Sequence, residues 1–116
     1  MRVLVVDDSE LFRQAMCEVV AVTPGFEVVG DAASGREALA LVGSLAAEFV
    51  LLDVKMPEID GIETALRIRR HFPEVVVLLL TATSRREVDD PSLTVEDKRD
   101  LSSRWLAEFW QRHGRK

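Results

Sequence analysis

The sequence predicts an α/β fold, a doubly wound parallel sheet whose ligand site lies at the carboxyl ends of its strands. Three observations carry that prediction. Short apolar runs at 3–6, 26–29, 49–52 and 75–80 alternate with stretches in which apolar residues recur at helical spacing. Parallel neighbours need a crossover between them, and strand–helix–strand repetition at this spacing supplies one. The first, third and fourth runs are apolar throughout, as expected of strands covered by helices on both faces.

Taken in order, Val3-Leu4-Val5-Val6 is a β-branched run that stops at Asp7-Asp8. From Ser9 to Val20 the residues Phe12, Ala15, Met16, Val19 and Val20 mark one face of a helix, for which Asp8 or Ser9 is the capping residue. Pro24-Gly25 punctuates before Phe26-Glu27-Val28-Val29, a mixed run that suits a sheet edge. Ser34 and Glu37 form a capping-box pattern ahead of Ala38–Val42. Phe49–Leu52 is a third strand ending at Asp53, Asp60-Gly61 opens a helix bearing Ile62, Ala65 and Leu66, and Val75–Leu80 is a fourth strand stopping at Thr81.

Composition narrows the function classes. A chain of 116 residues, 47% of them hydrophobic, has room for one domain, 1–116, with a core of its own. One cysteine, Cys17, excludes an internal disulfide and a cysteine-built zinc cluster. No apolar run approaches the ~20 residues of a membrane span, and Met1-Arg2 leads directly into a strand, so we expect neither a membrane anchor nor a signal peptide but a cytoplasmic protein. The net charge of −5 argues against direct nucleic-acid binding. That charge is lopsided: residues 1–81 carry −6 and residues 82–116 carry +1, together with both tryptophans.

The strand ends hold the chemistry. Asp7, Asp8, Asp53 and Thr81 all terminate apolar runs and would meet in one crevice of a doubly wound sheet. Two carboxylates ~4 Å apart repel by about 4 kcal/mol at an effective dielectric of ~20, so such a cluster needs a cation or a proton. Mg2+, which favours one or two carboxylates with waters and phosphoryl oxygens, suits it. A hydroxyl at Thr81 adds a phosphoryl contact without charge, and the combination points to phosphoryl transfer to an aspartate. The simpler alternative is that these residues only cap helices, and it must then account for four matching positions on three strand ends.

The segments Val-Leu-Val-Val-Asp7-Asp8-Ser9, Leu-Leu-Asp53-Val-Lys55-Met56-Pro57-Glu-Ile-Asp60-Gly61 and Leu-Leu-Leu-Thr81-Ala82 resemble, in order and spacing, the receiver domain of bacterial two-component response regulators. The resemblance covers 1–82. It implies a flavodoxin-like sheet of strand order 2-1-3-4 and a phospho-acceptor at Asp53 that takes its phosphoryl group from a sensor histidine kinase or phosphotransfer protein. It also implies Mg2+ held by Asp7, Asp8, Asp53 and the main-chain carbonyl of Lys55, with Thr81 as the switch hydroxyl. A phosphorylation-dependent switch of this kind is not a turnover enzyme beyond its own phosphoryl transfer and slow dephosphorylation. Two rivals remain: a pseudo-receiver that acts as an interaction or dimerisation module without phosphate, and a Mg2+-dependent phosphohydrolase, for which the usual Asp-x-Asp after the first strand is absent.

Residues 83–116 fit the resemblance poorly. The family carries a fifth strand with an aromatic switch residue, then a lysine usually followed by proline. Sixteen residues separate Thr81 from Lys98, whereas an average helix, strand and two connections need about 24. Ser84–Glu87 begins a helical turn that Pro91 stops, Leu93-Thr94-Val95 is the one short strand candidate, and Lys98 is followed by Arg99. The fifth strand is therefore short, missing or supplied by a partner chain, and Lys98 fills the lysine's role only in the first case. In the competing reading a helix starts near Thr94, with Glu96–Arg99, Asp100–Arg104 and Glu108–Arg112 as charge pairs. Either way the tail ends in an aromatic-rich helix over about 100–113, with Leu101, Trp105 and Phe109 in one stripe. A missing fifth strand would leave the fourth as a bare apolar edge, inviting a homodimer through that edge or through the terminal helix. Cys17 is expected to be packed, His71 and His113 solvated, and Arg112, Arg115 and Lys116 too short a basic end to hold nucleic acid.

Overall fold

The computed structural model describes residues 1–82, 88 and 90–113. Nine main elements follow in order among them: β1 (Arg2–Val6), α1 (Glu10–Ala21), β2 (Glu27–Ala32), α2 (Gly35–Ser44), β3 (Phe49–Asp53), α3 (Gly61–His71), β4 (Val76–Thr81), β5 (Thr94–Asp97) and α4 (Ser103–His113), with a 3-10 turn at Lys98–Asp100. The five strands form one sheet of order β2-β1-β3-β4-β5, every pairing parallel.

Alternation of side chains along the strands builds two apolar layers. Leu4, Val6, Val50, Leu52 and Leu79 face α2 and α3, meeting Ala38, Val42, Ala65 and Ile68. Val3, Val5, Phe49, Leu51, Leu78 and Leu80 face α1 and α4, meeting Met16, Val20, Leu106 and Phe109. All five residues of β3, the central strand, are buried, which explains why its sequence shows no polar alternation. β2 lies at an edge and is correspondingly mixed. The caps follow the sequence: Ser9 Oγ accepts from Phe12 N, Ser34 Oγ from Glu37 N and Asp60 Oδ1 from Glu63 N.

The tail decides between the alternatives that the sequence left open, in favour of a short fifth strand. A fifth strand does form within this chain, pairing Leu78 with Thr94 through to Thr81 with Asp97. It is neither missing nor supplied by a partner. A parallel crossover needs only about a dozen residues, and 82–93 provides that length; the larger requirement assumed elements of average size. Thr94–Asp97 is thus a strand and not the start of a helix, and the terminal helix begins at Ser103. Because β5 covers β4, the bare edge that motivated a homodimer there does not exist. The terminal helix is core: Leu106 and Phe109 are fully buried, and Phe109 stacks on Phe49 at 5.6 Å between ring centroids. The helical turn expected at Ser84–Glu87 and the basic residues Arg115 and Lys116 lie outside the described residues.

Candidate phosphoryl-acceptor site

Three strand ends meet at the carboxyl edge of the sheet. β1 and β3 are direct neighbours, so Asp7-Asp8, after β1, and Asp53, at the end of β3, come together. One carboxylate oxygen from each of the three lies within 4.8 Å of the others, the one such acidic or metal-ligating cluster among the described residues. Asp7 is fully buried, Asp53 almost so, and Asp8 is exposed. β4 delivers Thr81, also buried, one residue beyond Leu80, the register partner of Asp53.

Lys98 completes the group. The register that pairs Thr81 with Asp97 puts Lys98 immediately past the end of β5, at the level of the acidic cluster. Its Nζ donates to Asp7 Oδ2 at 2.8 Å and lies 3.2 Å from Asp53 Oδ1, with 7% of its side chain exposed. Lys98 thus reaches the acidic cluster although Arg99 follows it. Asp7 is anchored further: its Oδ1 accepts from Ser9 N at 2.9 Å and its carbonyl from the Arg13 guanidinium at 2.8 Å.

The electrostatics show a surplus of negative charge. Burial, helped by the neighbouring Asp7 carboxylate and opposed by Lys98, pushes Asp53 up from 3.8 to about 6. One ammonium does not offset three carboxylates. A set of hard oxygen donors with uncompensated charge suits a small divalent cation. Asp8, Val54, Lys55, Met56, Pro57, Asp60 and Ile62 line a cleft of about 430 Å3 beside the cluster.

Two features of the site are invisible to residue pattern alone. Gly61 N donates to Val54 O at 2.8 Å, and a β-carbon at Gly61 would lie 2.0 Å from the Asp53 carbonyl oxygen. The start of α3 thus packs directly on the peptide that carries Asp53; the Asp60-Gly61 dipeptide after the strand was the only signal. The second is Phe12, whose ring lies under the Lys98 ammonium, 4.1 Å from Nζ to centroid. In the sequence it reads only as one of the apolar residues of α1. Elsewhere, Cys17 is half-buried with its thiol pushed up by burial. His71 and His113 are exposed, and His113 stacks on Phe109 at 4.4 Å. No helix among the described residues is long and apolar enough to cross a membrane.

Comparison with known proteins agrees with this geometry. The family model described as "Response regulator receiver domain" matches residues 3–99. A protein-glutamate methylesterase/protein-glutamine glutaminase of Trichodesmium erythraeum is 40% identical over 85 residues, 73% of this chain and 24% of that protein. The chain thus matches about a quarter of the length of this relative. Among solved structures, chemotaxis protein CheY4 of Vibrio cholerae is 30% identical with a TM-score of 0.77, each chain covered to 97%. The response regulator domain of Thermotoga maritima CheB has the same fold, with a TM-score of 0.83, 24% identity and coverage of 98% of this chain and 96% of that one. These relatives correct the expectation that the chain is not an enzyme. The methylesterases that share its receiver portion are enzymes by name, although the match covers that portion alone. From the matched residues 3–99, the five-stranded sheet and the acidic cluster with its lysine, the chain belongs to the response regulator receiver domain family.

Proposed function

We propose that the chain is a phosphorylation-dependent switch in which Asp53 accepts a phosphoryl group from the phosphohistidine of a sensor histidine kinase or phosphotransfer protein. The observation that carries this reading is the position of the Asp53 carboxylate, at the end of the central strand, beside Asp7 and Asp8 and within 3.2 Å of the buried Lys98 ammonium. An Asp53 oxygen attacks phosphorus, the P–N bond of the donor breaks, and its electron pair leaves with the imidazole, which takes a proton from solvent. Lys98 orients the acceptor and pairs with the added charge, while the Thr81 hydroxyl donates to a phosphoryl oxygen. Mg2+ fits the three carboxylates; Asp7, Asp8, Asp53 and the Lys55 carbonyl would hold it, and when bound it neutralises charge on the phosphoryl oxygens. Phosphorylation then biases a protein-contact surface through local charge and hydrogen bonding. Such a partnership places the chain in the cytoplasm, where the kinase's phosphohistidine is presented.

The pseudo-receiver rested on a displaced lysine and a missing aromatic. With Lys98 at the site, only the lack of an aromatic in Thr94–Asp97 still favours it. Incubation with Mg2+ and acetyl phosphate, followed by intact mass, tests the two. We expect one added phosphoryl group on the wild-type chain and none on Asp53→Asn. An unlabelled wild type, under conditions that label another receiver domain, would overturn the switch and favour the phosphate-independent module.

A further inference from the structure

We propose that Phe12 is a positioning residue for the phosphoryl-acceptor site, holding the Lys98 ammonium between Asp7 and Asp53 through the face of its ring. The inference builds on Asp53 as acceptor and adds to it a residue on another element. An ammonium has three N–H donors. In Lys98 the carboxylates of Asp7 and Asp53 lie at 2.8 and 3.2 Å, and the Phe12 ring lies 4.1 Å from Nζ. A cation over an aromatic face is attracted by the ring quadrupole. The lysine stem runs beside a crevice of about 90 Å3 lined by Phe12, Ala15, Met16, Val19 and Leu101, so the remaining surroundings are apolar. Apart from the ring, the lining of that crevice offers the ammonium no oppositely charged partner.

The choice of a ring has a chemical consequence. A third carboxylate there would hold the lysine more strongly, but it would also compete for it once Asp53 gains a phosphoryl group. A leucine would leave the ammonium unsupported and free to turn toward Asp7 alone. An aromatic face attracts the charge without a directional hydrogen bond, so the lysine stays aimed at the acceptor yet can shift toward a new anion. Phe12 is 41% exposed and belongs to neither apolar layer of the core, so its contact with Lys98 is not a by-product of core packing.

Two measurements test this. In Mg2+-free solution without phosphodonor, the ε-methylene protons of Lys98 should show an upfield ring-current displacement in the wild type and in Phe12→Tyr, and none in Phe12→Leu. In stopped-flow labelling with Mg2+ and acetyl phosphate, Phe12→Leu should slow Asp53 phosphorylation by about 2- to 30-fold, the range equivalent to a cation–π contact between exposed and desolvated settings. Phe12→Tyr should restore the rate. In a Lys98→Met background Phe12→Leu should have no further effect, because its action runs through the ammonium. Leu11→Ala, one residue away and 79% exposed, should change neither readout. An undisplaced Lys98 signal in the wild type overturns the proposal, as does an unchanged rate in Phe12→Leu or an equal slowing in the Lys98→Met background. If the wild type takes no phosphoryl group at all, the acceptor reading fails, and the ring-current displacement alone decides whether Phe12 holds the lysine.

Discussion

Replacing Asp53 by asparagine should stabilise the metal-free protein, and the size of the gain follows from the site. The Asp53 carboxyl is buried beside the Asp7 charge, and Lys98 only partly offsets this, so its pKa stands at about 6 in place of 3.8. A folded value above the unfolded one means that the native state holds the proton more tightly. The stabilisation linked to this group is complete below pH 3.8 and is lost as pH rises through about 6. At 1.36 kcal/mol per pH unit the interval amounts to about 3 kcal/mol. An asparagine side chain in its place keeps the shape of the protonated acid and never ionises. Urea unfolding in EDTA, for both proteins from about pH 4 to about pH 8, should give curves that nearly converge at about pH 4, separate between about pH 4 and about pH 6 and then run parallel, with Asp53→Asn the more stable by about 3 kcal/mol at about pH 7.5. Added Mg2+ should close the gap by stabilising the wild type. A variant equal to or weaker than the wild type at that pH in EDTA would refute the claim that the cluster carries uncompensated charge.

Two further substitutions probe how the site is held. Gly61→Ala places a methyl carbon where the Asp53 carbonyl oxygen is 2.0 Å away, so α3 or the acceptor peptide must shift; we expect a loss of about 1–3 kcal/mol in urea unfolding and a slower Asp53 label in the acetyl phosphate assay. Phe109→Ala removes a fully buried ring stacked on Phe49 and should cost about 3–5 kcal/mol by the same unfolding measurement, whereas a loss below about 1 kcal/mol would show that α4 is an accessory to the fold.

The first 82 residues declare their structure because three of the four strands there carry strong apolar runs, the mixed β2 is set off by Pro24-Gly25, and each helix has a side-chain cap. Phe49–Leu52 and Val75–Leu80 read as strands covered on both faces, while the order of the sheet came from the family resemblance. β5 escapes the same logic. Its four residues, Thr94–Asp97, are all half-buried at a sheet edge, so nothing demands a continuous apolar run, and two of them are acidic. The position of Lys98 was hidden for the same reason, since it depends on the register of a strand with almost no pattern. Asp7, Asp8 and Asp53 were legible because a parallel sheet brings consecutive strand ends to one edge. The Phe12 contact was not, since it joins a residue of α1 to a lysine 86 positions later and leaves no periodic trace.

The brevity of the chain after β5 has an optical consequence. Only Leu101 and Ser102 separate the 3-10 turn that starts at Lys98 from the helix that carries Trp105 and Trp110. Leu101 itself lines the crevice beside the lysine stem. Lys98, which touches Asp7 and Asp53, and the indoles that emit light therefore share one short length of backbone. Trp110 rests on Phe49 in the central strand at 5.2 Å, and Trp105 stacks on Phe109 at 5.3 Å. Both tryptophans stand on the helix that follows this turn, so a shift of Lys98 relayed through Leu101 should register in their intrinsic emission, an expectation checked by comparing spectra with and without acetyl phosphate.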